Sequence, residues 1–459
     1  MVRVSRLEKS IGIEVYATSS PGIGGRIRHS CEDFIVEEIL VDGSKAKVVA
    51  SNVPIKIYEQ PPVGRYLLCI LIKRNWDNFQ ALEAIAAQLS ISPQKIHIAG
   101  IKDAKAVTAQ HITIRDVKPE DIKKVNIKDI EIIPVGFFKT KLSPYYPLGN
   151  AFKISIRALS HAKSVIQHRM EKVVEEIEKL GGIPNFFGHQ RFGTIRPITH
   201  LVGKAIIKGD FRKAAMIFLA KPYPFEHPEP RTARGELRHS QDFKKALKTF
   251  PRSLYYERLM LEHLAEKPDD FKGAFRRLPI KLRILFSQAY QAYLFNKFLS
   301  RRIALGHPLN KAEVGDYVVK VKSTGLPSQR LHEIASIEKL SEINKAIASG
   351  KMRLAMPLVG FRQRLSEGVQ GEIEKQILDE EGIKTENFKV KGMPELSLKG
   401  GLRTVLTPLK DFKIEEISKD PVNPHKNVVK LSFTLYRGSY ATVFLREIMK
   451  PRNPIKAGF

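Results

Sequence analysis

Strand-like sequence stands near both ends of this chain and a long helix-like stretch lies between. A sheet built from segments so far apart requires a domain that is interrupted and then resumed. Residues 26–72 hold short apolar runs, Phe34-Ile35-Val36 and Tyr66 to Ile72, separated by the turn formers Pro61, Pro62 and Gly64. Leu82, Ile85, Ala86 and Leu89 recur at helical spacing over Asn78 to Ile91, with Asp77 placed to cap the first free amides. After a turn at Gly100, His111 to Ile114 and Ala151 to Ile156 read as β-branched strands. Ser160 to Leu180 reads as an amphipathic helix ended by Gly181-Gly182. From about 205 to 405 the texture is helical with irregular connections, including the proline-rich Lys221 to Pro230, and its strongest helix is Leu282 to Arg302. Strand texture returns over Val428 to Val443. The expected class is α+β, a mixed α/β catalytic domain whose sheet is antiparallel or mixed, with a second domain inserted into it.

Charge narrows the partner. The 459 residues carry 77 Lys and Arg against 48 Asp and Glu, a formal excess of 77 − 48 = +29. Self-repulsion on that scale opposes compaction, whereas neutralising phosphates releases counterions and drives association. Nucleic acid is the expected partner, ahead of an anionic membrane, because no basic amphipathic anchor helix stands out. No apolar run of about 18 residues occurs, and Met1 to Lys9 leads into Ser-Ile-Gly-Ile, so a soluble, cytoplasmic chain without a membrane association is expected. Cys31 and Cys69 are too few for a disulfide framework or a thiolate zinc cluster. His189 and His200 lack metal-ligand spacing, and no metal site is expected. No heptad seam appears, which favours a monomer.

Four stretches could carry chemistry. In Gly100-Ile101-Lys102-Asp103-Ala104-Lys105, a carboxylate lies between two ammonium groups that favour its ionised form. Asp103 is thus a candidate anionic nucleophile or base with Lys102 beside it, although a turn aspartate capping its own backbone has the same spacing. Pro184 to Gly193 packs Asn185, Phe186, Phe187, His189, Gln190, Arg191 and Phe192 into ten residues. Phenylalanine rings stack on unpaired bases, amides read base edges and arginine holds phosphate; Phe186 and Phe192 serve a core equally well, and His189 reads as a hydrogen-bonded loop residue. Glu32 to Glu38, preceded by Arg26 and Arg28, and Arg437 to Val443 read as strand edges, mostly solvated. Glu37 and Glu38 point to opposite sides of a strand, so at most one lines any site.

Taken in order, Glu32 to Glu38, Gly100 to Gln110, Asn185 to Gly193, Ser287 to Asn296 and Gly438 to Glu447 resemble the TruD family of tRNA pseudouridine synthases over nearly the whole chain, and the long central segment resembles the family's archaeal and eukaryotic branch. The resemblance implies a pseudouridine-synthase-type catalytic domain at 1–210 and 407–459, with a TRUD insertion domain at 211–406. It implies Asp103 as the catalytic aspartate, Phe34, Asn185 and Tyr440 along a uridine pocket, Phe187 as the aromatic of the Asn-x-Phe motif, and Arg28 as the basic residue near the aspartate. Lys102 joins the substrate-binding candidates. Tyr440 stands where other members can have Phe, and His189 at a variable position. The implied reaction isomerises uridine, usually uridine 13 in the D arm of tRNA, with neither cofactor nor metal. Two other readings remain at this level: an RNA-binding or assembly protein without catalysis, and a metal-dependent nuclease using Glu32, Asp33, Glu37 or Glu38.

Overall fold

The computed structural model describes residues 3–48 and 65–459. The turn formers Pro61, Pro62 and Gly64 lie outside them. Eight strands form the main sheet. Six come from the first part of the chain: β1 (Phe34–Leu40), β2 (Tyr66–Arg74), β3 (Ile96–Ile98), β4 (Val107–Arg115), β5 (Ile130–Phe138) and β6 (Pro147–Leu159). Two more, Lys410–Lys419 and Asn427–Tyr436, follow about 250 residues later and join beside β6. The order is Lys410–Lys419, Asn427–Tyr436, β6, β1, β4, β2, β5, with β3 also on β4. The sheet is mixed: β1 and β4 run parallel, and the other neighbours are antiparallel.

Strand alternation decides what faces the site. The register pairs Phe34 with Ile154, Val36 with Phe152 and Glu38 with Asn150, so these six share one face. Val36 aligned with Thr108, and Thr108 with Lys73, puts β4 and β2 residues on the same face. That face carries two apolar cores. One gathers Phe34, Val36, Phe152, Ile154 and Phe433 beneath the helices Lys163–Lys179 and Ala441–Met449. The other gathers Leu67, Cys69, Leu71 and Ile112 beneath Leu82, Ile85 and Ala86 of the helix Asn78–Gln88. Glu38, Asn150, Thr108, Gln110 and Lys73 form a polar strip between them. Phe34, Phe152, Phe433 and Phe444 make a ladder across the first core, with successive centroids 6.2, 5.1 and 4.8 Å apart.

The expected helices at 78–91, 160–180 and 282–302 are the helices Asn78–Gln88, Lys163–Lys179 and Ile280–Ala304. Asp77 caps the first, its Oδ1 accepting from the Phe79 and Gln80 amides at 2.8 and 3.3 Å. The strand expected over Val428 to Val443 stops at Tyr436. Gly438, at φ 83°, turns the chain, and Ala441–Met449 is a helix with all nine residues buried. Burial against the sheet overrides the β-branched Thr442-Val443 pair. The solvated edge expected for Glu32 to Glu38 is also corrected. Only Glu32 is exposed; Asp33, Glu37 and Glu38 are buried and paired with Arg157, Lys45 and Lys102 at 2.7, 2.7 and 2.8 Å. A carboxylate withdrawn from water needs such a partner.

Between the two parts of the main sheet, helices from Phe211–Ala220 to Gly368–Glu381 accompany a four-stranded sheet of Tyr317–Val321, Pro327–Ile334, Met352–Leu358 and Gly401–Thr404. Within this segment Glu374 is fully buried and accepts from the Ser366 amide at 2.8 Å and its hydroxyl at 2.9 Å. Burial, with Asp316 nearby, pushes its pKa up to about 7. The unfolded chain releases this proton near 4.5 while the folded chain keeps it, so the stabilisation is complete below about pH 4.5 and lost as pH rises through 7. Urea denaturation at pH 5 and pH 8 should therefore show Glu374→Gln losing about 2 kcal/mol less stability over that interval than the parent. Equal losses would contradict the assignment.

Candidate functional site

Arg28, Phe34 and Asp103 meet at one end of the polar strip. Because β1 and β4 are parallel neighbours, with Ile35 opposite Val107, the loops that lead into them emerge together. An Arg28 Nη2 group donates to Asp103 Oδ1 at 2.7 Å, and a second guanidinium nitrogen donates to the Gly458 carbonyl at 3.3 Å. Arg28 holds the left-handed conformation, φ 55°, at a cost of about 1 kcal/mol for a residue with a Cβ. Its guanidinium sits 4.0 Å above the Phe34 ring, and burial lowers its pKa. The Asp103 side chain keeps 30% of its surface open. Its carboxylate is therefore held from one side and reachable from the other.

Buried hydrogen bonds fix the loop that carries Asp103. Lys73, fully buried, donates from Nζ to the Asp103 carbonyl at 2.8 Å and the Trp76 carbonyl at 2.7 Å, and burial drops its pKa to about 8. Lys102 turns inward, 2.8 Å from Glu38 Oε1 and 2.6 Å from Asn150 Oδ1, while its amide donates to Asn78 Oδ1 at 3.3 Å. Beyond Glu37 and Ala109 the β1–β4 ladder ends, and Glu38 Oε2 takes over as acceptor for the His111 amide at 3.0 Å. Glu37 faces Lys45 instead. Lys102 thus anchors the loop, with its side chain only 9% exposed, and does not project toward a phosphate.

A second group forms around Phe187. Arg403 Nη2 donates to Asn185 Oδ1 at 2.6 Å and to the Gly438 carbonyl at 2.9 Å, and its Nε donates to the Asn185 carbonyl at 2.8 Å. The other end of the Asn185 amide donates to the Thr404 carbonyl at 3.0 Å and hydroxyl at 3.2 Å. The Arg403 guanidinium lies 4.0 Å over the Phe187 ring, and burial lowers its pKa to about 10. Phe295 and Tyr440 meet Phe187 edge-on at 5.7 and 6.2 Å. Asn296, on the helix Ile280–Ala304, accepts from the Phe187 amide at 2.8 Å and donates to its carbonyl at 3.0 Å. Gly188 leaves no room for a side chain, since a Cβ there would lie 2.9 Å from Thr442 Oγ1 and 3.0 Å from the Tyr440 ring.

The candidates named from sequence therefore fall into two groups, Arg28, Phe34, Asp103 and Lys102 on the strip, and Asn185, Phe187 and Tyr440 around Arg403. Phe34 is 1% exposed, a rung of the aromatic ladder roofed by Arg28. Phe186 and Phe192 are fully buried core residues. His189 is not hydrogen-bonded as expected. It is buried with neither ring nitrogen paired, packs edge-on to Phe459 at 5.7 Å, and is pushed down to a pKa of about 4 by burial. Arg403 and Lys73 escaped the reading of the sequence, and Asn296, the last residue of the Ser287 to Asn296 motif, had no role assigned to it there. For Lys73 a signal existed, a charge in phase with the buried residues of a long apolar strand; Arg403 stands in no motif.

A family model described as tRNA pseudouridine synthase D (TruD) matches residues 10–448. A Methanosarcina mazei protein described as "Probable tRNA pseudouridine synthase D" is 39% identical over 455 residues, 99% of this chain and 100% of its own length. A protein of the same description from Methanosarcina acetivorans is 40% identical over 98% of each chain. Another, from Pyrococcus furiosus, is 37% identical over 95% of this chain and 98% of its own. The crystal structure of the Methanosarcina mazei TruD protein superposes with a TM-score of 0.82 at 39% identity, covering 99% of both chains.

Replacing Arg403 with Met removes three hydrogen bonds from a charged donor and should destabilise the fold by about 3 kcal/mol. Arg191→Ala removes a looser contact, 5.5 Å from the Phe187 centroid, and should cost less than about 1 kcal/mol. Guanidinium denaturation of both variants checks the ranking.

Proposed function

The chain belongs to the TruD family of tRNA pseudouridine synthases, and from that premise we propose that it isomerises uridine 13 in the D arm of tRNA, with Asp103 as the catalytic carboxylate. The observation that carries this reading is the Asp103 carboxylate, paired with Arg28 at 2.7 Å yet 30% open. An oxygen so held is oriented without being shut away from a ribose.

In the isomerisation the N1–C1′ bond of uridine breaks, the uracil turns, C5 bonds to C1′, and the C5 proton is released as N1 regains one. Atoms and electrons balance within the substrate. The ribose passes through an electron-poor state, and an ionised carboxylate beside it stabilises that state, adds to the sugar, or removes a sugar proton. Arg28 orients the carboxylate for each route. Reaching C1′ requires the nucleotide to leave its stack, at a cost of a few kcal/mol that aromatic stacking at about 1–3 kcal/mol per base offsets. Tyr440, partly exposed beside Phe187, is the ring offered for that stacking. Asn185 and Arg403 hold that wall in shape, and the Phe34 ring supports the Arg28 guanidinium 4.0 Å above it.

In this reading residues 211–406 form the insertion between the two parts of the catalytic domain, 1–210 and 407–459. The protein acts as a monomer in the cytoplasm. Among the described residues no helix is long and apolar enough to cross a membrane.

Tritium release from RNA labelled at uridine C5 tests the role of Asp103. Asp103→Asn should lower the rate by roughly 10²–10⁴-fold or more while tRNA binding stays within a few fold. An Asp103→Asn protein as active as the parent would refute the assignment. Mapping pseudouridine in treated tRNA should return position 13. Tight binding with an unchanged nucleoside profile would mark an RNA-binding protein instead.

A further inference from the structure

The helices Thr199–Ile207 and Phe211–Ala220 border a cavity of about 790 Å³ that shares no residue with the site above. Its rim carries Lys204, Lys208, Lys213, Lys221 and Arg238 against one carboxylate, Asp210. Its floor is apolar, with Leu201, Met216 and Ile217 only half-buried.

The charges around this cavity are unbalanced for a structural reason. Glu226 and Glu257 pair with the buried Arg234 at 2.9 and 2.7 Å. Glu381 pairs with Lys204 at 2.6 Å and accepts from the Tyr290 and Tyr293 hydroxyls at 3.1 Å each. Asp210 caps its helix, accepting from the Lys213 amide at 2.9 Å. Among the described residues no carboxylate is left within ion-pair distance of Lys208, Lys213, Lys221 or Arg238. Lys221 shows the consequence, its pKa lowered by burial and then by Arg196 and Arg238. Four cations gathered around one hollow repel one another until a polyanion enters.

We infer that this cavity is a second RNA-binding site, taking a stretch of phosphodiester backbone on its cationic rim and sugar or base faces on its apolar floor. The inference rests on the proposed function and adds to it a place where the substrate RNA is held away from the reacting uridine. One phosphate, with at most two negative charges near neutral pH, cannot neutralise the four unpaired cations on this rim, whereas successive phosphates of one strand can. The cavity is also tied to the uridine pocket. Lys204 on its rim reaches Tyr293 through Glu381, and one turn along the same helix Asn296 grips Phe187. Backbone held here therefore keeps a fixed offset from the pocket.

The test uses the full chain and unmodified tRNA transcript. Lys208→Glu/Lys213→Glu changes two exposed residues, and a control, Lys345→Glu/Lys351→Glu, makes the same change in net charge on the exposed surface elsewhere. The cavity variant should weaken tRNA binding at least tenfold near 0.15 M salt and flatten the plot of log affinity against log salt by about 1.5, two phosphate contacts at 0.7–0.9 each. The loss should fall on KM more than on kcat. Lys208→Ala/Lys213→Ala should show a smaller loss of the same kind, and serves as the reading if the reversal variant fails to fold. Parental affinity and salt slope in the alanine variant, an equal loss in the control, or inorganic phosphate that binds the cavity without competing with tRNA would each overturn the inference. A parent that binds tRNA but forms no pseudouridine would refute the catalytic reading and leave the cavity measurable. A parent that modifies tRNA and is unaffected by the cavity changes would refute the cavity alone.

Discussion

Lys102 and Glu38, both withdrawn from water and 2.8 Å apart, hold the rest of the site in place. Each would be costly to bury alone, so the pair has one arrangement that satisfies both. Glu38 is fixed from the other side, because its second oxygen serves the His111 amide where two parallel strands part. Lys102 is fixed in turn by Asn150. The next residue, Asp103, then has nowhere to go but the mouth of the strip, where Arg28 meets it and Lys73 holds its carbonyl. A partly exposed carboxylate on an otherwise mobile kind of loop is made rigid by neighbours that never leave the interior.

The polar strip exists because the sheet face supports two cores. Had β1, β2, β4 and β6 stayed apolar along their whole length, the two cores would merge into one. Instead Glu38, Gln110, Thr108, Lys73 and Asn150 interrupt them in register. The second group draws on parts of the chain about 250 residues apart. Arg403 bridges the Asn185 and Gly438 segments, and Asn296 clasps the Phe187 backbone. The residues between the two parts of the main sheet thus supply side chains that shape the wall around Phe187.

Much of this was legible in the sequence, unevenly so. Helical spacing at Leu82, Ile85 and Ala86 and the cap at Asp77 are local signals, and the structure keeps them. Val428 to Val443 misled because β-branched residues favour strands on average, while the turn at Gly438 and burial on every side make Ala441–Met449 a helix. The acidic run at Glu32 to Glu38 looked like a wet edge because its partners, Arg157, Lys45 and Lys102, are not all close in sequence. His189 misled in the opposite sense, its ring burying against Phe459 without a hydrogen bond. Arg403 carries no local mark, since what singles it out is three acceptors and a ring brought to it by other segments.

The sequence by itself determined the family, the strand and helix texture, the cationic excess and the ordered motifs that hold Asp103, Asn185 and Phe187, because periodicity, charge and short motifs are properties of neighbouring residues. Tertiary structure alone decided which carboxylates are buried, that Lys102 points inward, that Phe34 lies under Arg28 and that Arg403 closes the Phe187 wall. Those outcomes depend on pairing charges and filling space between segments far apart in the chain, and contacts of that kind exist only once the sheet has brought the segments together.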